Sequence, residues 1–375
     1  MKNLLIVCFS DIANDPRVLK QIFWTKGNYR LTVAGFGDYK DKDVEFIKIN
    51  RPNETLLEKT RRNLYMASWQ FEKFYWSLPF VREAYQKLKD RHFDLIIANE
   101  LQTLPMAVKI QKGAKILFDA HEFYLCDIEG NLVKKYLYGK YAYRLLSKYL
   151  KSVAHLTTPS ETWARLYSEI FKVESSILPN VPFYHDLKPN AVNGELIKIV
   201  HHGGASPERN LDVIIRGAGG LSDLCELHLY IVPKSMIYYN YLRSLAKNFS
   251  NIYFHRPIPY TQIVREINKY DLGVHFLKSD NIQTMYAVPN KLFEFVQARL
   301  GLIVSPQPEM EKFVKKHGVG IVTEGYTSKD FAQAVRSLTK EDVWQFKRKS
   351  DEIAKVYCAE NYKEDFLRLL EKILR

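Results

Sequence analysis

The chain has 375 residues, 46% hydrophobic and 26% charged, with 55 Lys and Arg against 42 Asp and Glu for a formal net charge of +13. That length is too great for one ordinary core and suits two α/β domains, with the hydrophobic content of a soluble globular protein. Cys8, Cys126, Cys225 and Cys358 show no C-x-x-C spacing, which argues against a disulfide framework or a zinc site and favours a reducing cytosol.

In chain order, the opening run Leu4 to Phe9 stops at Ser10 and Asp11, so it reads as a buried strand and not as the apolar core of a signal peptide. No apolar stretch approaches the length needed to cross a bilayer. Short apolar runs at 3–9, 30–35, 44–49, 94–98, 115–119, 154–158 and 175–178 alternate with longer amphipathic stretches. Such alternation is the pattern of a parallel sheet covered on both faces. It restarts at 196–202 and continues through 227–232, 251–254, 271–276, 301–305 and 319–323. Between the two series, the polar segment from Tyr184 to Gly194 reads as a hinge. The expected division is 1–185, a hinge at 186–195, a second domain at 196–355 and a final helix at 356–375, with the helical pattern broken near Tyr357 to Asn361.

Ligands of open α/β sheets sit beyond the carboxyl ends of the strands, so two such sheets place their chemistry in a cleft between them. The residues just past the strands of the first half are Asp11, Asp15 and Arg17, then Glu100, then His121 and Glu122, then Ser160 and Glu161. His121 carries the most weight, because a neighbouring carboxylate, Asp119 or Glu122, can fix its tautomer while its other nitrogen meets a ligand hydroxyl.

In the second half, Pro289-Asn290-Lys291-Leu292-Phe293-Glu294 opens a helix after an apolar run, which puts a cation and an acceptor beside a helix N-terminus. A nucleotide diphosphate-sugar has the matching shape: its pyrophosphate suits Lys291 and its ribose diol suits Glu294. Gly203-Gly204 after another run is a second anion-friendly turn, with Arg209 just ahead of the next helix.

These residues resemble the donor half of retaining glycosyltransferases of family four, which have the GT-B fold: two Rossmann-like doubly wound domains facing across a cleft. The resemblance extends to Asn14-Asp15-Pro16-Arg17-Val18, to Asp119-Ala120-His121-Glu122 and to Leu178-Pro179-Asn180-Val181-Pro182. It implies donor binding by Gly203, Gly204, Arg209, Asn290, Lys291 and Glu294, with Glu294 on the ribose. It further implies His121 and Glu122 as the catalytic residues, Asp15 and Arg17 on the acceptor side, and a final helix that returns to the first domain. Two positions depart from the family pattern: Tyr286 stands where a glutamate is usual, and Gly204 where a basic residue usually follows the turn glycine.

Asp41-Lys42-Asp43 has the Asp-x-Asp spelling of a metal-binding motif but sits among turn residues, so it reads as a solvated turn. No metal or other cofactor is expected. Charge on a departing pyrophosphate then falls to Arg209, Lys291 and helix N-termini. His202, His255, His275 and His317 lack ligand spacing and read as structural or exposed.

The basic excess is concentrated. No acidic residue lies between Glu129 and Glu161, where Lys140, Arg144, Lys148 and Lys151 share one helical face among tyrosines. Arg61 and Arg62, with Trp69, Phe71, Phe74, Tyr75 and Trp76, form a second patch of basic and aromatic residues suited to an anionic membrane surface, although a solvated basic face is an open alternative. No nucleic-acid motif is present.

The resulting expectation is a cytoplasmic glycosyltransferase, peripheral on the inner face of the membrane. It would transfer a hexose, with retention, from a nucleotide-sugar such as a UDP-sugar to a lipid-linked or polysaccharide acceptor in surface-glycan or capsule assembly. A nucleotide-sugar epimerase of the same fold and a non-catalytic glycan- or membrane-binding scaffold remain as alternatives.

Overall fold

The computed structural model describes residues 1–125, 132–279 and 281–375. Each of the thirteen apolar runs forms a strand. β1 (Asn3–Asp11), β2 (Arg30–Phe36), β3 (Val44–Lys48), β4 (Leu95–Asn99), β5 (Lys115–Asp119), β6 (His155–Thr158) and β7 (Ser175–Ile177) make a seven-stranded sheet in the order β3-β2-β1-β4-β5-β6-β7. β8 (Ile197–Ala205), β9 (Cys225–Pro233), β10 (Ile252–His255), β11 (Leu272–His275), β12 (Gly301–Val304) and β13 (Gly320–Val322) make a six-stranded sheet in the order β10-β9-β8-β11-β12-β13. The pairings are parallel throughout.

Helices cover both faces of such sheets, so central strands show no polar alternation: Leu4 to Cys8 and Leu95 to Ala98 are fully buried. The chain order reverses at β1 and β4 in the first sheet and at β8 and β11 in the second. Those reversals open a crevice at the carboxyl ends, where ligands of this architecture bind.

Two compact units result: Met1–Asn180 together with Tyr362–Arg375, and Val181–Asn361. Segment 186–195 lies inside the second. Helix Lys340–Ala354 stops before helix Ala359–Leu374, and most of the latter belongs to the first unit. There Phe366 packs on Trp24 with ring centroids 4.9 Å apart. Lys372 donates to Glu174 at 2.6 Å. Among the described residues no helix is long and apolar enough to cross a membrane. Cys8, Cys225 and Cys358 are buried thiols, and Cys126 lies outside the described residues.

Candidate functional site

In the second unit, the switch point is built by the carboxyl end of β8 and by helix Asn290–Gln297 after β11; Gly203 and Gly204, expected to open a turn, are the last rungs of β8, paired with Ile231 and Val232 of β9. This helix comes unusually close to the sheet because β11 carries Gly273, where a Cβ would stand 2.3 Å from the Phe295 ring. Leu292, Phe293, Phe295 and Val296 anchor it in the core, and Gln297 ties its end to helix Lys340–Ala354 by donating to the Ala354 carbonyl at 2.6 Å. Lys291 and Glu294 are thereby held on a fixed support.

Gly203 has φ of +107°, a backbone region that side chains rarely adopt. A Cβ there would stand 2.8 Å from Lys291 Cε and 2.9 Å from Nζ, so the lysine lies across the bare backbone at the end of β8. Arg209 ends a short 3-10 turn, Pro207–Arg209, and Asn210 then takes a left-handed conformation before helix Leu211–Gly219. Burial first, and Arg209 next, push the Lys291 ammonium down to about 8, with a further contribution from Lys234 and against the opposing pull of Glu294. An anionic charge about 4 Å away would contribute roughly 4 kcal/mol at an effective dielectric of about 20, comparable with the penalty behind such a shift. This end of β8 is therefore electrostatically prepared for an anion.

Glu294 is buried, and its Oε2 lies 3.3 Å from His202 Nε2 without hydrogen-bond alignment. Burial, then Lys291, depress His202 and His275 well below the ordinary histidine range, and His201 to about 3. All three rings are neutral near pH 7. They add no positive charge and do not neutralise the cations. Asn290 is exposed at the start of the helix, and Tyr286 is half-buried just after helix Ile282–Met285.

The crevice of the first unit has a different character. Arg17 is 4% exposed and donates from Nε and Nη2 to the two oxygens of Asp119, each at 2.6 Å. Burial alone would raise the Asp119 carboxyl, but Arg17, with help from His121 and Thr157, holds it below the usual carboxylate range. Asp15 caps helix Pro16–Thr25, accepting from the Arg17 and Val18 amides at 3.0 and 3.2 Å. Both residues expected on the acceptor side are thus engaged within the unit: Asp15 orders the helix start, and Arg17 neutralises a buried carboxylate.

His121, expected as catalytic, sits at this edge with acceptors beside both ring nitrogens. Nε2 is 3.2 Å from Asn99 Oδ1, and Nδ1 is 3.3 Å from Glu100 Oε1. Glu100 adopts φ of +66°, a strained conformation for a side-chain-bearing residue. Sequence reasoning placed Glu100 past β4 but did not pair it with His121. Glu122 is half-buried, and its carbonyl accepts from the Tyr167 hydroxyl at 2.7 Å. Asp41 and Asp43 both engage Lys26, at 2.8 and 3.0 Å.

The basic surface belongs to the first unit. Helix Leu56–Ala67 buries no residue; Leu56, Leu57 and Leu64 are exposed, as are Arg61 and Trp69. Trp69 meets Tyr136 of helix Leu132–Tyr149 at 6.1 Å, and Lys140 lies over the Tyr136 ring. Lys140, Arg144, Lys148 and Lys151 are exposed, with Lys148 paired to Glu72 at 2.8 Å. Other expected members of the patch turn inward. Arg62 pairs with Glu54. Phe71 and Tyr75, one helical turn apart, are buried, and the Tyr75 hydroxyl donates to the Gln102 carbonyl at 2.8 Å. Phe74 packs edge-on to Tyr141, and Trp76 lies beneath Lys109. A helix packed on a domain sends one face into the core, so a cluster of aromatics in sequence is divided between core and surface.

Residues 35–181 match the family model described as Glycosyltransferase Family 4. Asp119 to Glu122 fall within that segment, whereas the Gly203 end of β8 and the Lys291 helix fall outside it. No curated protein matches the sequence. Among solved structures, HepE (Alr3699) from Anabaena in complex with UDP-glucose is similar, with TM-score 0.72, 14% identity and coverage of 99% of this chain and 100% of that one. The trehalose 6-phosphate synthase of Burkholderia multivorans gives TM-score 0.70 at 11% identity, covering 99% and 98% of the two chains. The UDP-forming trehalose-phosphate synthase of Burkholderia vietnamiensis gives 0.68 at 11%, covering 99% and 100%. The fold is GT-B. Such low identities speak for architecture alone.

Proposed function

We propose that the chain is a glycosyltransferase that takes its sugar from a nucleotide diphosphate-sugar held by the second unit, with a UDP-sugar as the donor. The observation that carries this reading is the pair Lys291 over Gly203: a half-buried lysine laid on a glycine backbone, with Arg209 near it and Glu294 one turn along the helix. The pyrophosphate takes Lys291, Arg209 and the Gly203-Gly204 backbone, Asn290 assists at the helix start, and Glu294 accepts from the ribose. Support comes from the family match at 35–181 and from the similar structures, one solved with UDP-glucose and another described as UDP-forming.

Transfer proceeds with retention, the acceptor hydroxyl attacking on the face from which the nucleotide leaves. The two cations stabilise the charge that develops on the diphosphate, without a metal. His121, held between Asn99 and Glu100, is assigned to the hydroxyls of the transferred sugar, a hexose, and Glu122 supports it. The acceptor is a lipid-linked or polysaccharide hydroxyl in surface-glycan assembly. The exposed leucines, Trp69, Arg61 and Lys140 give the first unit a face for an anionic membrane on the cytoplasmic side. A thermal-shift panel of UDP-, GDP-, ADP- and dTDP-sugars tests the donor. Saturation at a hundred times the dissociation constant should add about 2.7 kcal/mol of stability, and no shift with any donor defeats the reading.

A further inference from the structure

Lys234 follows β9, whose register against β8 runs from Ile197↔Cys225 to Ala205↔Pro233. The sheet therefore delivers it one residue beyond the last pair, beside the Gly203-Gly204 end of β8. Its amide donates to the Ala205 carbonyl at 3.4 Å. Its stem lies along Gly204: a Cβ at that position would stand 3.2 Å from Lys234 Cε, 3.6 Å from Cδ and 3.7 Å from Cγ. Two adjacent glycines thus carry two lysine stems, one from the strand edge and one from helix Asn290–Gln297.

Lys234 is exposed, and among the described residues no carboxylate lies within ion-pair distance of it. A lysine so placed has a flexible stem and open solvent, and like charges favour separation; here instead it lies over the glycine next to the one that Lys291 covers. An anion spanning the two glycines would relieve the repulsion between the two ammonium groups. A side chain at 204 would compete with the Lys234 stem for the same space, so the second glycine serves this lysine as the first serves Lys291.

Resting on the nucleotide-sugar reading, we infer that Lys234 is a further ligand of the donor diphosphate, laid over Gly204 beside Lys291 over Gly203. Calorimetric titration of the full chain with UDP, UMP and uridine tests it, using wild type, Lys234→Met and Lys234→Arg. Lys234→Met should weaken UDP by about tenfold, UMP by less and uridine not at all, and should flatten the salt dependence of UDP binding. Lys234→Arg should restore most of the loss. Unchanged UDP affinity in Lys234→Met, or equal losses for UDP and uridine, overturns the inference while leaving the nucleotide reading intact. Wild-type protein that binds none of UDP, GDP, ADP or dTDP overturns the nucleotide reading, and this inference with it. Thermal unfolding of Lys234→Met without nucleotide should match wild type, as expected for an exposed side chain.

Discussion

At the carboxyl edge of the first sheet, Arg17 meets Asp119 oxygen for nitrogen, and Gln21 and Thr157 satisfy the rest of the carboxylate at 2.7 Å each. At the same edge of the second sheet, Lys291 stands among neutral imidazoles and near the cations Arg209 and Lys234, with Glu294 pulling the other way, and its ammonium is depressed to about 8. The two switch points share a topology and differ in electrostatic closure. Charge that is balanced internally orders a fold, whereas charge left unbalanced at a glycine strand end is available to a ligand.

The largest expected effect breaks the closed side. Asp119→Ala leaves a buried guanidinium without its partner and should destabilise the protein by about 3–5 kcal/mol in chemical denaturation. The folded carboxyl titrates below its unfolded value of about 3.9, so the pair's contribution is complete above that pH. It is lost as the pH falls through the folded value, and the gap between wild type and Asp119→Asn should close only in acid. A gap that persisted there would place the effect outside this ion pair.

The open side should respond in binding. Glu294→Ala should lower nucleotide-sugar affinity by about tenfold to a hundredfold, as measured by calorimetry, with the fold retained. Unchanged affinity removes Glu294 from the site. A subtler test uses protons. An anion favours charged Lys291, so binding near pH 8 should take up a proton, seen as a binding enthalpy that varies with buffer ionisation, and affinity should decline as the pH rises past about 8. Without nucleotide the sign reverses: between about 8 and 10.4 the unfolded chain holds the extra proton, so stability attributable to Lys291 rises with pH, and Lys291→Met should abolish that rise.

The smallest effect concerns the surface. Arg61→Ala with Lys140→Ala should weaken sedimentation with anionic vesicles by about 1 kcal/mol per residue, leaving neutral vesicles unaffected. Arg62→Ala, already committed to Glu54, should change vesicle binding less than Arg61→Ala.

The strands were legible because parallel strands buried on both faces leave uninterrupted apolar runs, and the pause between the last two helices showed as polar residues around Tyr357. Side-chain partnerships were harder to read. Arg17 and Asp119 lie 102 residues apart, and only the adjacency of β1, β4 and β5 brings them together. Lys234 carries no local signal beyond standing at a strand end, and it becomes informative once β9 is known to neighbour β8. The aromatics at 71–76 misled because composition does not say which side of a helix faces the core. Arg17 carries the same ambiguity, since a basic residue past a strand has the same spelling whether it waits for a ligand or closes a salt bridge.

Helix Ala359–Leu374 carries Phe366 onto Trp24 and Lys372 onto Glu174, so the first unit is assembled from both extremes of the described chain. Truncation after residue 361 removes most of that helix and leaves the Trp24 surface uncovered. The shortened chain should keep a protease-resistant second unit beside a first unit that is readily cut.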